Sequence, residues 1–144
     1  MIRAAKRVKE AGIILSVTVL LGIGGVELSY AHAEDTGKVL SEMDPEYVGA
    51  LSLIIVPGTP IAEELDSGKL VLPTPFELIR ELGIMIANCN FTECFFASNH
   101  ASNYLPLRIR MPQEKEKALG LIREVLQRND LALLRPEYCG HFSP

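Results

Sequence analysis

The segment from residue 98 to residue 104 concentrates side chains that could do chemistry. Its sequence, SNHASNY, brings hydroxyl, amide, imidazole and phenol groups together. His100 could donate or accept a proton near neutral pH, and Tyr104 could contact a substrate, so these two are the candidate catalytic residues. A hydrogen-bonded loop whose polar side chains satisfy its own backbone explains the same composition. Both interpretations stay open at this point.

The three cysteines, Cys89, Cys94 and Cys139, bear on redox and metal chemistry. Their odd number and the lack of a CxxC pair argue against a disulfide scaffold and a self-contained zinc site, and fit a reducing cytoplasm. Cys89 at a helix end and Cys94 in a strand are interpreted as buried small residues. Cys139 and His141 could ligate a metal with Cys94 or His100, but nothing in the spacing forces them together. We therefore assign no metal ligand.

The remaining titratable candidates are interpreted as structural. His32 is taken as a solvated turn residue. We expect an exposed helix face to carry Glu63, Glu64 and Asp66. We favour this interpretation over a pair of carboxylates that performs acid-base chemistry.

Two apolar runs, residues 16–27 and 48–60, each end in a turn that contains glycine. Both are nearly continuous in Val, Ile and Leu, which is typical of strands buried on two faces. We predict strands over residues 13–21 and 47–56, joined by a short helix over residues 34–43 in a parallel unit. Glycine at the carboxyl end of a parallel strand lets a ligand approach the backbone closely. These turns are therefore candidate ligand-binding positions.

The first of these turns contains Gly22, Gly24 and Gly25. A strand-to-helix turn that needs glycine only for positive φ or close packing is the structural alternative. The turn is not a dinucleotide-binding fingerprint, because the third glycine of GxGxxG would fall at Glu27.

The flanking segments complete an α/β pattern in one domain over residues 1–144. They predict a surface helix that ends at Gly12, an amphipathic piece over residues 61–65, a helix capped by Thr74, Pro75 and Glu77, a strand over residues 91–97 and a last helix from Pro112 to Arg128.

Composition excludes several classes of protein. The chain is 48% hydrophobic and 22% charged, which suits an ordinary core. Its net charge is -4, and acidic and basic residues are interleaved along the chain, so no basic patch suggests nucleic-acid binding.

The start of the chain resembles a signal peptide, with basic residues before an apolar run at residues 11–26 and an A-x-A triplet at 31–33. Glu10 and the glycines inside the run argue against export, and about 16 residues are too few to span a bilayer as a helix. We expect a cytoplasmic protein; a small exported protein is an alternative.

Four strings, taken in order, resemble one family. They are GIGGVE at residues 22–27, SEMDPEYVGAL at 41–51, VPGTP at 56–60 and FASNHASNYLPLR at 96–108. The first resembles the glycine motif that ends the fifth barrel strand of radical S-adenosylmethionine enzymes. Together they resemble the carboxyl-terminal half of an anaerobic group in that superfamily, often labelled as related to oxygen-independent coproporphyrinogen oxidase. The similarity extends from about residue 3 to about residue 126.

The resemblance implies a partial (βα) barrel with about two parallel βα units over residues 1–60 and a helical and strand extension over residues 61–144. It implies that S-adenosylmethionine lies against Gly22, Gly24 and Gly25, with Glu27 supporting the turn. The adenine would be flanked by the backbone of Leu53, Ile54, Ile55 and Val56. The substrate side would be formed by Ser98, Asn99, Ser102 and Asn103. In an intact relative, a reduced [4Fe–4S] cluster cleaves S-adenosylmethionine to a radical that abstracts hydrogen from a small-molecule substrate.

One departure from the family concerns the cluster. The sequence contains no CxxxCxxC motif, whose three thiolates hold the [4Fe–4S] cluster in these enzymes. The resemblance therefore implies a fragment or truncated member that is inactive alone, with its cluster ligands outside this chain and the missing amino-terminal half as a possible partner. A hypothesis from another class is a non-catalytic domain that pairs with another chain through open strand edges.

Overall fold

The computed structural model describes residues 1–136, which form a mixed α/β structure around a four-stranded open sheet. The strands, in chain order, are β1 Ser16–Leu21, β2 Tyr47–Ser52, β3 Cys94–Ala97 and β4 Arg108–Met111. The helices are α1 Ile2–Glu10, α2 Gly25–Met43, α3 Pro60–Asp66, α4 Pro75–Asn88 and α5 Lys115–Arg128, followed by a 3₁₀ turn at Leu131–Leu133. The α/β class predicted from the sequence is confirmed.

The sheet has the order β1-β2-β3-β4. Strands β1, β2 and β3 are parallel, and β4 is antiparallel to β3. The predicted parallel pairing of the first two strands is confirmed, although each predicted strand is shorter in the structure than in the prediction. Strand β4 was not predicted; its Ile109 and Met111 are buried and alternate with the exposed Arg108 and Arg110.

One face of the sheet is covered by helices. Val48, Ala50 and Phe96 from the strands share a core with side chains of α2, α4 and α5. The opposite face, called here the open face, carries exposed side chains from all four strands: Thr18, Leu20, Tyr47, Phe95, Arg108 and Arg110. No element within residues 1–136 covers it. The prediction that the first two strands are buried on both faces is therefore wrong, since only one face is packed.

Helix α2 begins at Gly25, nine residues before the start predicted at residue 34, so that prediction is wrong. The A-x-A triplet lies within this helix, and Ala33 is fully buried in the core. The apolar run that resembles a signal peptide forms β1, the glycine turn and the first turn of α2. Within residues 1–136, no helix has the combination of length and apolarity needed to cross a membrane.

Helix α4 begins as predicted. Thr74 Oγ1 accepts a hydrogen bond from Glu77 N–H, and a Glu77 carboxylate oxygen accepts one from Thr74 N–H at 2.7 Å, which is a capping box. The predicted inward residues Ile79, Leu82 and Ile86 are buried. Helix α4 packs against both the sheet and α2, and its Leu78 lies next to Gly22 in the first glycine turn.

Candidate functional site

The carboxyl ends of the three parallel strands lie at the same edge of the sheet. Strand β1 is followed by the glycine turn at residues 22–25, β2 by residues 53–59 and β3 by the loop at residues 98–107. Ligands of open parallel sheets usually bind at this edge, because the loops that follow the strands converge there. All the site residues predicted from the sequence lie in these loops or in the first turn of α2.

The glycine turn is shaped by both backbone conformation and packing. Gly22 has φ +82° and Gly25 has φ +61°, which side-chain-bearing residues rarely adopt. A Cβ atom on Gly22 would lie 2.9 Å from Leu78 Cδ2, and one on Gly25 would lie 2.9 Å from Leu70 Cδ1. Gly24 precedes α2 with an ordinary φ of -84°. The structural alternative therefore accounts for Gly22 and Gly25 without a ligand.

Several amide groups of this turn are already bonded within the chain. Gly25 N–H donates to Gly22 O at 3.1 Å, and Val26 N–H donates to Val71 O at 2.9 Å. Gly22 N–H donates to Glu81 Oε1 at 2.9 Å. Glu27 is exposed in the first turn of α2, where a carboxylate suits the helix dipole. The carboxylate that contacts the turn is thus that of Glu81.

Glu81 is the functional candidate that the sequence analysis missed. It is 1% exposed, and its carboxylate also accepts a hydrogen bond from Ser29 Oγ at 2.5 Å and contacts His32 Nδ1 at 3.0 Å. His32 lies inside helix α2 and is half-buried, so its interpretation as a solvated turn residue is wrong. Two signals could have found this cluster: a glutamate beside the buried stripe of α4, and a serine and a histidine three residues apart on one helix face.

A cleft of about 250 Å³ opens beside the glycine turn. Its wall is formed by the end of β2, the residues after it, the 98–107 loop and three leucines: Ser52, Leu53, Ile54, Ile55, Leu65, Leu72, Leu78, Ser102 and Tyr104. Gly22, Gly24 and Gly25 do not line this cleft, but a Cβ atom on the buried Gly22 would lie 4.0 Å from Leu53 Cβ, so the turn packs behind the cleft wall. Val56 is not among the lining residues and is 40% exposed. We call this space the β2 cleft.

The loop after β3 is fastened to β2 by buried hydrogen bonds. Asn103 Oδ1 accepts from Ser52 Oγ at 2.8 Å, while Asn103 Nδ2 donates to Ala50 O at 2.7 Å and to Ser98 O at 2.9 Å. Ser102 Oγ accepts from Ser52 N–H at 3.0 Å. Ser98, Ser102 and Asn103 are all buried. These three side chains are therefore bonded within the chain, partly to the loop itself and partly to β2, and their place on the substrate side stays a prediction.

His100 and Tyr104 are more accessible. Ser102 N–H donates to His100 Nδ1 at 3.2 Å, which places the proton of a neutral ring on Nε2, and the His100 ring is exposed. Tyr104 is half-buried and lines the β2 cleft. Their proposed catalytic roles stay predictions. Asn99 is half-buried at the far side of the loop.

The described cysteines do not suit a cluster or a metal. Burial raises the pKa of Cys89 to about 12 and that of Cys94 to about 12, so both thiols are protonated near neutral pH. Both residues are buried, as predicted. Among residues 1–136, no three histidine, cysteine or acidic side chains are grouped to hold a metal. Cys139 and His141, with the metal site considered for them, lie outside the described residues.

A larger cleft, of about 510 Å³, lies at the opposite end of the sheet, and three of the charged residues that line it are paired with one another. The Lys9 ammonium contacts Asp44 Oδ2 at 3.3 Å and Glu46 Oε1 at 3.2 Å. Burial alone would raise the pKa of Asp44, but the hydrogen bond from Thr92 N–H and the Lys9 charge lower it. We interpret this network as structural, because it ties α1 to the start of β2.

The comparisons with known proteins leave the site to be judged on its geometry. No family model, no curated protein and no solved structure matches this chain.

Proposed function

We propose that this chain binds the nucleoside part of S-adenosylmethionine in the β2 cleft, as the carboxyl-terminal part of a barrel of the radical S-adenosylmethionine type. The observation that carries the proposal is that Leu53 and Leu78, which line the cleft, lie next to the buried Gly22, so an apolar cleft after one parallel strand adjoins the glycine turn after its neighbour. Three of the four strings that resemble this superfamily fall at this edge, and the fourth, at residues 41–51, covers the end of α2 and most of β2, the strand that leads to it.

The residues of the cleft fit an adenosine group. Leu53, Ile54 and Ile55 offer apolar side chains for the faces of a purine, and they follow directly after β2, where backbone polar groups can select the purine edge. Tyr104 adds an aromatic ring to the wall. When S-adenosylmethionine is bound beside a reduced cluster, it supplies radical hydrogen abstraction. In this proposal the chain's own residues bind and orient the nucleoside and exclude water from it.

The same proposal holds that the cluster is not carried by this chain. The sequence has no CxxxCxxC motif, and the thiols of Cys89 and Cys94 are buried and protonated. Reconstitution with iron and sulfide is therefore expected to give neither a [4Fe–4S] electron-resonance signal nor 5′-deoxyadenosine. The cluster ligands would come from a separate polypeptide segment that completes the barrel.

Calorimetric titration tests the nucleoside site. We expect saturable binding of S-adenosylmethionine and of adenosine, and much weaker binding of methionine alone. Ile55→Trp should fill the cleft and weaken adenosine binding by about tenfold or more, equivalent to about 1.4 kcal/mol. Leu121→Trp, on the exposed side of α5, is the matched control and should bind as the unmodified chain does. If a folded chain shows no saturable binding of either nucleoside, the proposal is wrong.

A second candidate function is a partner-binding domain, and the open face favours it. Leu20, Tyr47 and Phe95 are 40%, 48% and 37% exposed on that face, and the Tyr47 and Phe95 rings pack edge to face at 6.3 Å. Contiguous exposed apolar patches mark interaction surfaces, and here Tyr47 and Phe95 are neighbours, while Leu20 lies four positions along β1 from the partner of Tyr47. Sedimentation analysis should then show self-association or aggregation that Phe95→Lys reduces and Leu131→Lys, at an exposed leucine outside the sheet, leaves unchanged. A monodisperse monomer at high concentration would contradict this candidate.

A further inference from the structure

We propose that Arg108 and Arg135 form a binding site for an oxyanion, the carboxylate or phosphate group of a small-molecule ligand. The two guanidinium groups line one cleft of about 330 Å³ together with Asn99 and Pro106. No acidic side chain lines this cleft. Paired arginines are well suited to such ligands, because their planar arrays of N–H donors match carboxylate and phosphate oxygens.

The cleft lies at the edge of the sheet where ligands are expected. Arg108 is the first residue of β4 and pairs with Ala97, the last residue of β3. It therefore lies at the same end as the carboxyl ends of the parallel strands. The neighbouring Ile109 is buried against the helices, so Arg108 projects on the open face. Asn99 comes from the loop that directly follows β3.

Both arginines are held in place by uncharged partners. Arg135 Nη1 donates to the carbonyl oxygens of Asn99 and His100, each at 3.2 Å, and Arg135 N–H donates to Tyr104 O at 2.9 Å. In the amide orientation that satisfies its neighbours, Asn99 Oδ1 lies 2.8 Å from Arg108 Nη2 and 3.2 Å from Nε. These contacts fix the two side chains in position and leave their positive charges unneutralised. A preorganised site of this kind loses little side-chain entropy when it binds an anion.

No carboxylate within residues 1–136 neutralises either arginine. Most lysines and arginines of this chain likewise lack an ion pair within these residues, so it is the sharing of one cleft that sets Arg108 and Arg135 apart. Two adjacent guanidinium groups repel each other, and a bound oxyanion would relieve that repulsion.

The oxyanion site goes beyond the proposed nucleoside site and does not rest on it. The two clefts are neighbours, since Tyr104 lines the β2 cleft with its side chain and holds Arg135 with its carbonyl oxygen. A ligand that filled both would carry its anionic group on the side of β4. Adenosine has no negative charge, so its binding tests the first site alone, and an inorganic anion tests the second alone.

Titration of the full chain with inorganic phosphate, and separately with succinate, tests the oxyanion site. Ionic strength is kept constant with chloride, and the Nε–H resonances of arginine are followed by NMR. We expect saturable shifts for the Arg108 and Arg135 resonances and none for Arg110. The tighter of the two probes identifies a phosphate or a carboxylate as the preferred group. If neither probe shifts these resonances beyond the effect of chloride, the proposal is overturned.

Two variants of Arg108 and one control separate binding from general electrostatics. Arg108→Gln is expected to weaken binding of the better probe by about tenfold or more, and Arg108→Lys by less, because lysine keeps the charge and loses the planar fork. Arg110→Gln removes another exposed arginine from the same strand and the same face, and it should change the affinity less than about twofold. If Arg108→Gln and Arg110→Gln weaken anion binding equally, the anion responds to the general positive charge of this face, and the proposed site is overturned.

Discussion

Glu81→Ala is expected to lower the free energy of unfolding by about 3–5 kcal/mol, measured by urea denaturation, because it removes the acceptor of a buried polar cluster. The Glu81 carboxylate bonds Gly22 N–H and Ser29 Oγ and contacts His32 Nδ1. Without it, the buried Gly22 N–H and the half-buried Ser29 hydroxyl lose their partner. The loss should also release the glycine turn, so adenosine binding should weaken as well.

Variants of the partners and a control on the same helix sharpen this expectation. Ser29→Ala and His32→Ala should each cost less, about 1–2 kcal/mol, because Glu81 keeps its other donors. Glu77→Ala, one turn earlier on α4, removes an exposed carboxylate from the capping box and should cost about 1 kcal/mol. If Glu81→Ala costs no more than Glu77→Ala, the buried cluster does not hold the glycine turn in place.

The fold could be predicted only as far as local patterns determine it. The capping box at Thr74 and the parallel pairing of β1 with β2 are visible in sequence, because they depend on residue type and short connections. The start of α2 is not visible in sequence, because Gly24 and Gly25 disfavour a helix locally. Burial of Ala33 against the core favours the longer helix instead. Strand β4 has four residues, and it exists because β3 offers it a partner.

In the candidate site too, local sequence predicts some features, whereas others depend on tertiary contacts. The glycine turn, the cleft segment after β2 and the polar loop after β3 were all located from sequence, because chain order places them at strand ends. Glu81 was not, because it reaches Gly22 from 59 positions away along the chain. Likewise, nothing in the run SNHASNY distinguishes Asn103, which is buried, from Asn99, which lines a cleft with two arginines. Those assignments require the tertiary contacts of each side chain.

Asn103→Ala is expected to lower the free energy of unfolding by about 3 kcal/mol, because Asn103 makes three buried hydrogen bonds. Its amide nitrogen is the donor for Ala50 O and Ser98 O, and its amide oxygen is the acceptor for Ser52 Oγ. Removing it unfastens the loop after β3 from the end of β2. Because Ser102 and Tyr104 line the β2 cleft from that loop, the same variant should also weaken adenosine binding.

Asn103→Asp distinguishes the hydrogen bonds from the volume of the side chain. Aspartate has nearly the same shape, but it would direct an oxygen at the two carbonyl groups and place a charge in a site that is 3% exposed. We therefore expect a loss at least as large as that of alanine, measured by thermal and urea denaturation. Asn99→Asp is the matched control on the accessible side of the loop, where the new carboxylate faces Arg108 and should change stability by less than about 1 kcal/mol. Equal effects of the two aspartates would mean that the loop is not fastened through Asn103.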